Sequence, residues 1–105
     1  MYKQKKHTTT LVKMIEAVVN PSDIINVVIG DKNKLKNDEI PKGKLLTWKE
    51  AKKYLNYEFT NKYGGEDCNA LYVWTSNLVI IVLEYDGSYN IKKIPRNPID
   101  IYPTF

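Results

Sequence analysis

Between residues 57 and 96 the chain interleaves aromatic rings with basic side chains. Tyr57, Tyr63, Tyr72, Trp74, Tyr85 and Tyr89 are followed by Lys92, Lys93 and Arg96. Bases stack on aromatic rings, and phosphates are held by lysine, arginine and backbone amides. The same residue types dominate protein–protein hot spots, and aromatics favour strands whatever their function. Nucleotide site, protein interface and plain core are therefore three readings of one composition. Arg96 is the single arginine among sixteen basic residues. Its planar fork binds phosphate or carboxylate bidentately, which lysine does not. The alternative is a structural role, capping carbonyls in the proline-rich tail. The candidate ligand-binding set is Arg96, Lys92, Trp74, Tyr72, Asn97, Tyr63 and Tyr85.

Other chemistry finds little support. The one cysteine, Cys68, would need a base to act as a nucleophile, and the one histidine, His7, lies in a basic N-terminal stretch. Cys68 reads as a small hydrophobe at a strand edge. Glu58, Glu66 and Asp67 cluster around Gly64-Gly65, but their spacing fits no EF-hand loop. No Gly-Lys-Ser/Thr follows those glycines, so they form no P-loop. No catalytic residue, metal ligand or cofactor is expected, and a small enzyme is the least favoured class.

The elements that must position the aromatic–basic set are legible from periodicity. Two turns bound a three-stranded meander over residues 68–98: Ser76-Asn77, and Asp86-Gly87, whose residues tolerate positive φ. Two-residue loops at both turns pair Val82 with Leu71 and Ile91, Ile81 with Tyr72 and Lys92, and Val79 with Trp74 and Ile94. Alternation then places Leu71, Val73, Ile80, Val82 and Ile91 on one face. The other face receives Tyr72, Trp74, Val79, Ile81, Leu83 and Ile94, with Lys92 and Asn90 toward an edge. That second face is too apolar to be left in water. A helix, another subunit or a ligand must cover it, and self-association is the favoured solution.

The first half supplies the helices. Thr10 caps a predicted helix over roughly 10–19, in which Leu11, Met14, Ile15, Val18 and Val19 share one face. Asn20-Pro21 ends it. Ile24–Ile29 reads as a strand, with a helical continuation from a Ser22 cap as the alternative, and 30–44 as a polar, lysine-rich loop. Thr47-Trp48-Lys49-Glu50 fits a capping box, and Trp48, Ala51 and Leu55 then share a buried face. The fold class expected is α+β: a mainly antiparallel four- to five-stranded sheet, a C-terminal three-stranded meander, and two short helices on one face. Residues 1–8 are expected to be a flexible basic arm and 9–105 a single domain.

Charge is uneven. Residues 1–53 carry 12 lysines against 6 acidic residues, whereas 54–105 carry 4 basic against 6 acidic. A basic half can mark an anionic partner or simply a solvated surface. The apolar run Leu78–Leu83 is far short of the ~20 residues that span a bilayer. A lone cysteine and no recognisable leader point to a reduced, cytoplasmic setting without a membrane partner.

Several strings resemble small proteins encoded by bacteriophages and prophages. They are Tyr57-Glu58-Phe59, Tyr63-Gly64-Gly65 with Asp67-Cys68, Val73-Trp74-Thr75, Glu84-Tyr85-Asp86-Gly87-Ser88 and Pro95-Arg96-Asn97-Pro98. The resemblance covers Trp48 to Pro98, about half the chain, and adds nothing for residues 1–47. Proteins of that kind often counter bacterial defence. Some occlude nuclease complexes, as anti-CRISPR proteins do; others sequester cyclic nucleotide signals, as Thoeris and CBASS inhibitors do. The resemblance thus implies a non-enzymatic binding protein whose partner is a nucleotide signal or a host defence protein. Its ligand would lie between Trp74, Tyr72, Lys92 and Arg96, across a subunit interface in the favoured form. In the competing form the lysine loop displaces nucleic-acid contacts on a nuclease or its guide complex.

Overall fold

The computed structural model describes residues 8–32, 39–62, 68–85 and 88–103. In chain order these form β1 (Thr8–Thr9), α1 (Leu11–Glu16), β2 (Asn26–Lys32), α2 (Trp48–Leu55), β3 (Phe59–Thr60), β4 (Asn69–Trp74), β5 (Leu78–Tyr85) and β6 (Ser88–Pro95). The fold is α+β. An antiparallel sheet runs β2-β4-β5-β6, and β1 and β3 form a separate two-stranded ribbon.

Both helix starts follow from side-chain chemistry. Thr10 Oγ1 accepts the Lys13 amide at 3.0 Å and opens α1. At α2, Thr47 Oγ1 accepts the Glu50 amide while the Glu50 carboxylate accepts the Thr47 amide, a complete capping box. Trp48, Ala51 and Leu55 point inward from α2, and Leu11 and Ile15 from α1. Trp48 Nε1 donates to Glu16 Oε2 at 2.9 Å and Lys52 Nζ lies 3.4 Å from the same oxygen, tying the helices together. These contacts, the indole first, hold the Glu16 carboxyl below its ordinary pKa.

The meander takes the expected register. Tyr72 pairs with Ile81 and Trp74 with Val79; Val79 pairs with Ile94, Ile81 with Lys92 and Val82 with Ile91. The β4–β5 ladder spans only Tyr72–Trp74, so Leu71 and Val82 share a face without being paired residues. Thr75 Oγ1 accepts the Leu78 amide at 3.0 Å, closing the Ser76-Asn77 turn. Tyr85 pairs with Ser88; Asp86 and Gly87 lie outside the described residues.

The core lies between the helices and one face of the sheet. Val27, Ile29, Leu71, Val73 and Ile80 meet Leu11, Ile15, Ala51 and Leu55, all essentially inaccessible. Phe59 and Tyr89 join the same cluster, their rings edge-to-face at 5.7 Å.

Three expectations need correction. The first helix ends at Glu16, earlier than 19, because the chain tightens into a turn at Val18 and Val19. The first strand of the large sheet starts two residues later than Ile24 and runs on through Gly30, Asp31 and Lys32, residues whose polar composition predicts loop. It continues because a register shift between Ile29 and Lys32 keeps it paired with β4 as far as Asn69. The described end of the loop, from residue 39 on, is also less solvated than its composition suggests. Ile40 is buried, Leu46 bridges to Val27, and Gly43, at φ 74°, donates its amide to Ile29 O at 2.9 Å. Only a glycine takes that φ without strain. Thr8, read as the end of the arm, sits in β1; residues 1–7 and 33–38 lie outside the described residues.

Candidate functional site

Among the described residues no helix covers the face of the large sheet away from the core, and the C-terminal segment reaches only its β6 edge. This face comprises Asn26 and Val28 from β2, Tyr72 and Trp74 from β4, Val79, Ile81, Leu83 and Tyr85 from β5, and Asn90, Lys92 and Ile94 from β6. Strand alternation produces it: each of these residues neighbours an inward-facing one. Tyr72 is 54% exposed, Leu83 43% and Tyr85 72%, large values for apolar side chains on a central sheet.

Four candidate residues lie on this face. The Tyr72 and Trp74 rings meet edge-to-face, centroids 6.0 Å apart. Tyr72, Ile81 and Lys92 form one rung across three strands, placing Tyr72 and Lys92 about 10 Å apart at the backbone. Tyr85 stands at the far end of β5. The rung sets an exposed ring and a cation on the same sheet face, two strand spacings apart with Ile81 between them.

The remaining candidates part company. Arg96 Nη1 donates to the Thr75 carbonyl at 2.7 Å, and the Arg96 amide donates to Asn77 O at 3.1 Å. The arginine therefore braces the turn next to Trp74, the carbonyl-capping alternative, though on a carbonyl of the turn and not of the tail. The residue is otherwise solvent-exposed. Asn97 lines a separate cavity of about 450 Å³ with Asn77, Leu78, Lys93, Pro95, Ile99 and Ile101. Tyr63 lies outside the described residues.

Two rings of the aromatic constellation belong to the core. Tyr89 is 3% exposed and its hydroxyl accepts the Cys68 amide at 3.3 Å. Tyr57 donates its hydroxyl to Asn69 Oδ1 at 2.6 Å and accepts the Asn69 amide at 3.0 Å; burial pushes its pKa up to about 12. Asn69 Nδ2 donates to Gly30 O at 2.7 Å, so this buried polar network is satisfied.

Sequence reasoning missed a depression beside Tyr72. Val28, Gly30, Ala70 and Tyr72 line about 170 Å³ on the edge of the open face. A Cβ at Gly30 would come within 3.2 Å of Ala70 Cβ, so the glycine permits the two strands' close approach. A glycine directly after the apolar run Val27-Val28-Ile29 is the available signal.

Comparison of the chain with protein-family models, curated proteins and solved structures finds no match. The site's meaning rests on its own geometry.

Proposed function

We propose that this is a non-enzymatic binding protein of the phage type that neutralises a host antiviral defence. Its ligand is a nucleotide signal, held on the Tyr72–Trp74 shelf with Lys92 as the phosphate partner. The observation that carries the reading is the exposed ring of Tyr72 on the same rung as Lys92, flanked by Trp74. An aromatic face supplies stacking, worth about 1–3 kcal/mol per base, and the ammonium supplies charge. The resemblance of residues 48–98 to phage proteins supports the anti-defence part.

Thermal shift against cyclic di- and trinucleotides and cyclic ADP-ribose isomers tests it. Ligand at about 100 times Kd adds about 2.7 kcal/mol of stability. Tyr72→Ala and Lys92→Ala should each reduce the shift, and the ligand should be recovered intact after heat denaturation. No shift with any nucleotide would overturn the nucleotide reading.

A second reading has its own observation. The open face is four strands wide, apolar, and carries a single charged side chain, Lys92, among its described strand residues. Such a surface suits docking on a defence nuclease or CRISPR effector complex. Co-purification with a host complex, lost in Tyr72→Glu, would favour it.

A further inference from the structure

We infer that a second copy of this chain stacks on the open sheet face, closing the Tyr72–Trp74 shelf between two sheets. The inference deepens the nucleotide reading by naming the second wall of its site. Association itself needs no ligand.

The first argument is enclosure. The depression beside Tyr72 holds about 170 Å³, below the ~300 Å³ at which pockets begin to engulf a small organic ligand. One protomer offers one wall, and a second wall of the same chemistry doubles the contact.

The second argument is area. Four strands about 4.8 Å apart, over six residues of about 3.4 Å rise, give a flat footprint on the order of 400 Å². The C-terminal segment widens it. Ile101 and Tyr102 line a cavity of about 300 Å³ with Lys92 and Ile94 at the β6 edge. Ile101 is 59% exposed and Tyr102 88%. With this strip and the relief of the rings, two copies remove on the order of 1,000 Å² or more, the scale of a specific dimer.

The third argument is self-complementarity. A partner chosen by charge would find one lysine, whereas a second copy presents the same apolar, nearly uncharged surface. The face also carries both projecting rings, Tyr72 and Tyr85, and a depression at Gly30 and Ala70. An isologous contact requires such knobs and holes on one surface.

Sedimentation equilibrium on the full chain, without nucleotide, is the test. The wild type should show twice 12.2 kDa at tens of micromolar. Tyr72→Glu and Ile81→Glu should raise the dimer dissociation constant at least about tenfold, with unchanged far-ultraviolet circular dichroism. Lys53→Glu, on the exposed side of α2, should leave it unchanged. A wild-type monomer up to hundreds of micromolar would overturn the inference. So would a dimer that survives both face substitutions, which would place the contact elsewhere. A dimer with no nucleotide-dependent thermal shift would sink the ligand reading and leave the stacking intact; a shift in a monomer would do the reverse.

Discussion

The two faces of the large sheet are drawn from the same strands, and alternate residues decide which is which. Val73 is fully buried, while Tyr72 beside it is half exposed; Ile80 is fully buried and Ile81 is not. Composition barely separates them, since both are apolar. Cover does. Two short helices reach one face only, so the chain spends its own cover on the inner side and leaves the outer side for something else. Hydrophobicity therefore marks a surface that must be buried without saying by what.

Neighbouring substitutions break or sharpen that comparison most strongly. Ile80→Ala should cost about 2–5 kcal/mol, as for a truncated core aliphatic. Ile81→Ala should cost clearly less in the monomer and show its effect in association instead. Urea denaturation at low concentration, paired with sedimentation, separates the two. Equal losses of stability at both positions would mean that the faces are not distinct.

The next effect comes from the inner side. The pKa of Tyr57 is raised to about 12 by burial. The folded state then keeps its proton between pH 10 and 12 while the unfolded state releases it, so stability falls as pH rises through that window. Tyr57→Phe, less stable at neutral pH because Asn69 loses a partner, should show a shallower alkaline slope.

Smaller still are the helix ends. Thr47→Ala removes the cap of α2 and should cost about 1 kcal/mol by thermal denaturation. Glu16 has a lowered pKa, so its contribution is present above the ordinary carboxyl range and fades as pH falls through the lowered value. The Glu16 side chain is only partly buried and its partners sit at the surface, so Glu16→Gln should change stability by under about 1 kcal/mol at neutral pH.

Local chemistry made part of this legible in advance. Thr47 and Glu50 announce α2, and the turns around Asn77 and Gly87 set the register of β4, β5 and β6. Both signals act within a few residues. The open face was legible too, because strict alternation separates Tyr72 from Val73. What escaped depends on contacts between distant segments. Tyr89 and Tyr57 look like Tyr72 in sequence, yet Phe59, Asn69 and Cys68 draw them into the core. β1 is two residues long, too short for any period to appear, while β3 falls at the end of Asn56–Phe59, a stretch that could form a short strand. Arg96 stands out as the single arginine of the chain, but its bond to Thr75 O spans 21 residues and carries no sequence signature.

The molecule places one tryptophan on each side: Trp48 is in the core, 7% exposed, and Trp74 on the open face. Single-tryptophan variants, Trp48→Phe and Trp74→Phe, let fluorescence report each side alone. On addition of the nucleotide that gives the largest thermal shift, the emission of Trp74 should change and saturate, while that of Trp48 stays constant. A saturable change in Trp48 with Trp74 silent would contradict the claim that the open face is where this protein binds.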